Sequence, residues 1–315
     1  MSKFNHIVTA LFIAGANYAF ALDDDFKKQA IHLAQSNDVV GQLKAKAANE
    51  ISNSLESKTR ETLVPLLDTL KVSISAGDAL NGPTYEIIGL KAYDNDGKDN
   101  SFLFSQLGLN RYDKRNTVNV GMGYRHLTAD EAWLFGGNAF YDHEFPNDHQ
   151  RWGYGLEAIS TPVRLRYNAY KGISDYKTDR SGTDSKALDG RDITADIALP
   201  YLPGALLSYQ DFVWEGDAGA SDLKGKKLAI KGNLSGSLRM DAGRTYYDDN
   251  ARADDNFINL TYSVNLGESY GGWKLFDVSN EAYSFGSVAD QKYALVEREN
   301  RIVKQKKFSA TVTGN

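Results

Sequence analysis

The chain contains no cysteine in 315 residues, which excludes a disulfide scaffold, a thiol nucleophile and a cysteine metal site. It has no excess of basic residues: 36 Lys and Arg against 41 Asp and Glu leave a net charge of -5, so no nucleic-acid footprint and no nucleic-acid partner are expected. No glycine pattern has the strand-loop-helix context of a nucleotide site, and no cofactor is implied. Beyond the extreme N-terminus no apolar run is long enough for a membrane-spanning helix. That last absence excludes less than it first suggests, because the polar inner face of a transmembrane barrel dilutes its lipid face.

What the sequence does have is alternation. In NTVNVGMGYRHL (116–127), Val118, Val120, Met122 and Tyr124 share one face, and Asn119, Gly121, Gly123 and Arg125 share the other. EAWLFGGNAFYDHEF (131–145) repeats this with Trp133, Phe135, Ala139 and Tyr141 on one face. In QRWGYGLEAIST (150–161), Trp152, Tyr154, Leu156 and Ala158 oppose Arg151, Gly153, Gly155 and Glu157. The glycines fall at alternate positions, where small residues make room inside.

The same pattern gives twelve strand-like segments: the three above and 70–77, 84–94, 101–112, 163–175, 190–200, 205–215, 226–235, 236–248 and 256–266. Most are close to the roughly 9–11 residues that a tilted strand needs to cross a bilayer core. An even number of such strands can close without an exposed edge. Connections after even-numbered segments are mostly tight, as at 128–130, 160–162, 201–204 and 235–237, with 95–100 the exception. Those after odd-numbered segments include 176–189, 216–225 and 249–255, which are longer and rich in Asp, Gly and Ser. Short turns belong to the periplasmic side of a bacterial outer-membrane barrel, so both barrel ends are expected there.

Alternation assigns charged residues to the inner face: Arg125, Arg151 and Glu157 in the early segments, then Arg164, Arg166, Asp192 and Asp196, then Lys227, Lys231, Arg239 and Asp241. Facing lipid at mid-depth, each Arg or Lys would cost about 2–4 kcal/mol. The interior is therefore expected to be a hydrated, mixed-charge pore or one filled by a polar plug. Segment 205–215 is ambiguous, since Ser208, Gln210 and Asp211 fall on both faces.

Residues 1–21 read as a secretory signal peptide: Lys3 starts it, 7–16 is mostly apolar, and Ala19-Phe20-Ala21 is a small-x-small cleavage site before Leu22. Residues 22–69 are polar and alanine-rich, with Leu43, Ala47, Ile51 and Leu55 at helical spacing, and predict a short helical periplasmic segment. After the barrel at 70–266, residues 273–285 look irregular, and 296–308 polar and extended or weakly helical. Crossing about 25 Å takes only about 8 extended residues, so the 267–315 tail is long enough to return through the pore. A free periplasmic tail satisfies the same arithmetic.

Asp142-His143-Glu144 invites a catalytic or metal reading. On a strand, however, Asp142 and Glu144 share a face while His143 points away. Neither His126, His143 nor His149 has an obvious serine partner by spacing, although distant strands can assemble a triad. The triplet is read as structural, and no enzyme activity is expected.

Several stretches resemble a known family in order and spacing. FSQLGLNRYDKRNTVNVGMGYR (104–125), GGNAFYDHEF (136–145), RWGYGLEA (151–158) and YALVERENRIV (293–303) are similar to hallmark segments of the β-domain of the intimin and invasin class of inverse autotransporters. The resemblance spans roughly 70–308. It implies a 12-stranded antiparallel transmembrane β-barrel in the bacterial outer membrane, whose C-terminal linker threads the pore and carries adhesive domains to the cell surface. Carried over, 293–307 is the linker, with Tyr293, Val296, Glu297, Arg298, Asn300 and Ile302 against the inner charges. Implied partners are outer-membrane lipid, the barrel-assembly machinery, periplasmic chaperones, and a host surface or secreted partner protein. The sequence given stops at Asn315, seven residues beyond Phe308, and shows no peptidoglycan-binding module before the barrel. The expectation is thus a translocator unit without its adhesive passenger. A diffusion porin, a secretion pore for a separately encoded partner, and a barrel lipase or protease remain the alternatives.

Overall fold

A computed structural model describes residues 67–307, apart from 77–83, 95–98, 113–114, 180–181, 235–237, 249–251, 266–273 and 284. The cleavage-site residues Ala19, Ala21 and Leu22 and almost all of the expected helical segment lie outside the described residues. Among the described residues there is no α-helix.

Twelve antiparallel strands form a closed barrel. They are β1 (Thr69–Ala76), β2 (Thr84–Tyr93), β3 (Ser101–Tyr112), β4 (Arg115–Leu127), β5 (Leu134–Phe145), β6 (His149–Ile159) and β7 (Val163–Gly172), continued by β10 (Gly190–Leu199), β11 (Leu202–Trp214), β12 (Leu223–Asn233), β13 (Leu238–Tyr247) and β14 (Asp255–Asn265). Each strand pairs with its sequence neighbour, and β1 closes on β14 from Thr69↔Asn265 to Ala76↔Ile258. Closure satisfies every ladder in the ring and removes the edge, the condition for an all-β structure in lipid.

The pleat separates two environments. On β4, Met122 is 64% exposed on the outside and Arg125 is 0% exposed on the inside. On β6, Trp152, Tyr154 and Leu156 face out while Arg151 and Glu157 are buried within. Inside, space is tight: a Cβ on Gly121 would stand 2.2 Å from the Phe140 ring, so only glycine lets that ring lie across β4. The ambiguous segment resolves, with Ser208 buried, Gln210 half-buried and Asp211 on the outer face. It also begins earlier than the sequence reading placed it, at Leu202, with a register shift beside Ala198 and Leu199 where the hairpin turns.

Two features depart from expectation. The long connection 173–189 is not a simple loop: it carries β8 (Lys177–Thr178) and β9 (Asp184–Ala187). The C-terminal stretch, expected as extended or weakly helical, holds no helix over 296–307, and what the sequence did not show is that Lys304–Lys306 forms β15, which pairs with β9 to complete a small sheet in the order β15-β9-β8. Thr69, placed by the sequence in the helical segment, is the first residue of β1.

Candidate functional site

The chemistry of the molecule is concentrated on the inward faces, and Asp142 stands at its centre. The β5 pleat turns Asp142 and Glu144 inward and His143 outward, where His143 stacks on Phe145 at 4.3 Å. Cross-strand register then sets Asp142 between Asn119 of β4 and Arg151 of β6. Asp142 is fully buried, and it accepts hydrogen bonds from Asn119 Nδ2 at 2.6 Å and Arg151 Nε at 2.8 Å. Its two oxygens also take the fork of Arg298, at 2.9 and 2.7 Å. Each guanidinium lies over a ring: Arg298 is 4.4 Å from the Phe140 centroid, and Arg151 is 4.5 Å from that of Tyr170.

Around this centre, inward side chains meet the C-terminal segment in chain order. Thr69 donates to the Tyr293 carbonyl at 2.7 Å, and Tyr293 Oη donates to Asp94 at 2.7 Å. Arg125, paired with Glu157 at 2.7 Å, donates to the carbonyls of Lys292 and Ala294 at 2.8 and 2.6 Å. Gln106 accepts from the Val296 N–H at 2.8 Å. Glu297 faces three cations, Arg239 at 3.2 Å, Lys231 at 3.4 Å and Arg166 at 3.5 Å. Asn110 and Asn119 donate to the Asn300 carbonyl at 3.1 and 3.0 Å, and Asn300 donates to Glu86 at 2.5 Å. Arg151 donates onward to the carbonyls of Glu299 and Arg301 at 2.7 and 2.9 Å. Lys304 closes the series on Glu144 at 2.8 Å, and Glu144 also holds Arg115. Apolar contacts follow the same path: Val296 clusters with Phe104 and Phe140, Val288 with Leu127 and Ile159, and Val303 packs against the cluster of Tyr170, Leu188, Phe212 and Trp214. Ile302 is 1% exposed.

Of the remaining inner charges assigned from sequence, Asp192 accepts from Tyr170 and Asn168, and Asp196 from Arg166 and Lys231. Arg239 pairs with Asp241 at 2.7 Å, Lys227 lies 6.0 Å from the Phe212 ring, and Arg164 is half-buried on the face of Arg166. Sequence reasoning missed Gln106 and Asn110, and gave Asn119 and Asp142 a face of their strands but no partner in the site. Parity alone put Asp142 inward, and the register of β5 on β6 would have placed it opposite Arg151.

At the end of the barrel carrying the longer connections, β15 and the 215–222 loop form a cap. Gln305 accepts from the Asp217 N–H at 2.9 Å and donates to its carbonyl at 3.0 Å, and Lys186 donates to the Asp217 side chain at 3.1 Å. That lysine hydrogen bond holds the Asp217 carboxyl below the usual carboxylate range. Among the described residues no group of histidines and carboxylates is arranged to hold a metal ion.

Compared with known proteins, the chain matches the inverse autotransporter β-domain over residues 25–300. It belongs to the inverse autotransporter β-domain family. This β-domain is 30% identical over 211 residues to the invasin of Yersinia enterocolitica, covering 64% of this chain and 24% of that protein. It is 29% identical to a putative attaching and effacing protein homolog of Escherichia coli K12, covering 57% of this chain and 58% of the relative. The chain thus spans about a quarter of the invasin and little more than half of the other relative. In fold it resembles a solved membrane protein crystallised in meso, with a TM-score of 0.64 at 19% identity, over 76% of this chain and 99% of that one. As a family of outer-membrane barrels, the inverse autotransporter β-domains place this protein in the outer membrane.

Proposed function

We propose that this β-domain anchors in the outer membrane and carries the polypeptide that follows its C-terminal segment to the cell surface, with 289–307 as the linker that threads the pore. The observation that carries this reading is the order of contacts. Lys292 and Ala294 meet Arg125 near the short-turn end of β4, Asn300 meets Asn119 midway, and Lys304 meets Glu144 near the opposite end of β5. Chain order and depth run together, as they do for an extended segment passing along a barrel axis. The short-turn end, with both barrel termini, is then periplasmic, and the β15 cap is outside.

A polar interior suits that task because an unfolded chain arrives with its backbone groups unsatisfied. Arg125, Arg151, Gln106, Asn110 and Asn119 bind linker backbone atoms, and backbone contacts do not depend on the side chains passing by. Glu297 and Arg298 supply the specific part. Each meets buried charge of the opposite sign, so the chain has one preferred resting register. Non-enzymatic anchoring and export is the activity this arrangement fits.

The test is surface proteolysis of an epitope tag placed after Asn315 on intact cells, with a periplasmic protein as leakage control. Shaving of the tag is the expected result. A protected tag together with cleavage in the 173–189 connection would mean an inserted barrel whose tail stays inside, and would move the diffusion-porin and partner-secretion readings ahead.

A further inference from the structure

Between β14 and the linker, residues 274–283 and 285–288 have no regular structure, yet they follow a defined course. They pass along successive hairpin turns at the short-turn end of the barrel, in reverse chain order. Leu275 donates its N–H to Asn233 at 2.7 Å, below the β12–β13 turn. Ser279 donates to the Tyr201 carbonyl at 2.9 Å and Ala282 accepts from the Tyr201 N–H at 3.2 Å, in the β10–β11 turn. Thr161, in the β6–β7 turn, exchanges hydrogen bonds with Gly286 at 3.2 and 3.3 Å. Val288 donates to Glu131 of the β4–β5 turn at 2.9 Å. The backbone lies so close that a Cβ on Gly204 would stand 1.9 Å from the Lys274 carbonyl.

This strap is two-faced. Leu275 and Val288 are buried against the barrel, while Phe276, Val278, Tyr283 and Phe285 point away at 79%, 73%, 50% and 64% exposure. The outer wall beside it gives the reason. Ile197, Leu207 and Tyr201 face outward at the same turns, as does Phe135 with Trp133 stacked on it at 5.9 Å. Tyr283 lies over the same small crevice as Pro162 and Pro203, at the foot of that wall. Through Tyr283 the strap adjoins the foot of the lipid-facing band, and three of its four exposed apolar side chains are aromatic, the composition of a membrane-water interface.

We infer that residues 276–285 are an interfacial lipid anchor, docked into the headgroup and acyl boundary of the leaflet at the short-turn end. The anchor fixes the strap at the rim, so that the linker begins from a set point and enters at Tyr293. The inference depends on the outer-membrane location and not on export of a passenger.

The absence of native cysteine makes the test direct. Nitroxide labels are placed singly in the full chain at Phe276→Cys and Phe285→Cys, in vesicles of phosphatidylethanolamine and phosphatidylglycerol. Leu156→Cys on the lipid-facing wall and Ser221→Cys in the 215–222 loop serve as dry and wet references. Collision rates with oxygen and with a water-soluble nickel chelate are then compared, after checking for the compact heat-modifiable barrel. Both strap labels are expected to show several-fold lower nickel collision than 221 and oxygen collision approaching that of 156. A nickel rate at either strap label equal to that at 221 would overturn the anchor and leave the patch for a periplasmic protein. Export failure in the tag experiment leaves these rates unchanged.

Discussion

The two walls of the barrel interior hold charge differently. On β4–β6, Arg125, Asp142 and Arg151 are 0% exposed and each is pinned to both a counter-charge and the linker. On β12, β13 and β1, Lys231, Arg239, Asp241 and Lys71 keep 13%, 23%, 20% and 24% side-chain exposure, and of these Lys231 and Arg239 meet the C-terminal segment through Glu297. The linker leans on one wall. A buried pair in a dry site becomes costly to break, whereas a half-wet pair is screened and exchangeable. For the linker proposed above, the tight wall is thus the one that sets its resting place.

The largest expected effect tests that contrast directly. Asp142→Ala strands two buried guanidiniums, Arg151 and Arg298, and is expected to cost about 3–5 kcal/mol. Asp241→Ala removes one of two carboxylates from a partly exposed Arg239, which keeps Glu297, and should cost at most about 1 kcal/mol. Urea unfolding in detergent micelles, followed by the shift from folded to unfolded mobility, measures both. Equal losses would show that the two walls are held alike. Next in size, Gly204→Ala places a methyl where the Lys274 carbonyl runs and should cost about 1–3 kcal/mol by overpacking. Because the strap can lift off, the same variant should also show faster proteolysis within 274–288 than in the 215–222 loop, which is untouched. Glu297→Gln removes the carboxylate through which the linker meets Lys231 and Arg239 of the loose wall. With its side chain about a third exposed, a loss of about 1 kcal/mol is expected, with raised conductance in planar bilayers as the linker loses its tether to that side.

The tight wall was also the more legible in sequence, for a physical reason. Alternation is enforced by lipid outside and polar packing inside, so Met122 against Arg125 or Trp152 against Arg151 declares the strand and its faces at once. Strand existence therefore followed from pattern, and the bounds of β3 (Ser101–Tyr112) from pattern alone. Asp142 was visible as an inward carboxylate, but its partner Arg298 lies 156 residues away, and no local spacing connects them. The strap and the β15 cap were illegible for another reason. Leu275 to Asn233, Val288 to Glu131 and Lys304–Lys306 on β9 are joined through backbone atoms, which every residue carries. Tyr293, Val296, Glu297, Arg298, Asn300 and Ile302 were picked out by family resemblance, not by chemistry readable along the chain.

The smallest effect concerns the cap, where the linker meets the 215–222 loop in water. The Asp217 carboxyl titrates below its ordinary value because the Lys186 ammonium hydrogen bonds to its charged form. A group whose pKa is depressed by folding contributes stability above its unfolded value, about 3.9, and loses it as pH falls through the folded value. The cap should thus be indifferent to pH from neutrality down to about 5 and loosen only below about 4. Amide exchange at Asp217, whose N–H is held by Gln305, reads this without disturbing the barrel. Protection that falls below about pH 4 in the native protein and is already low at neutral pH in Asp217→Asn would assign the latch to this carboxylate. Protection unchanged by the substitution would instead assign the cap to the β15–β9 ladder alone, and leave the charge-dependent hold on the linker to its contacts within the barrel.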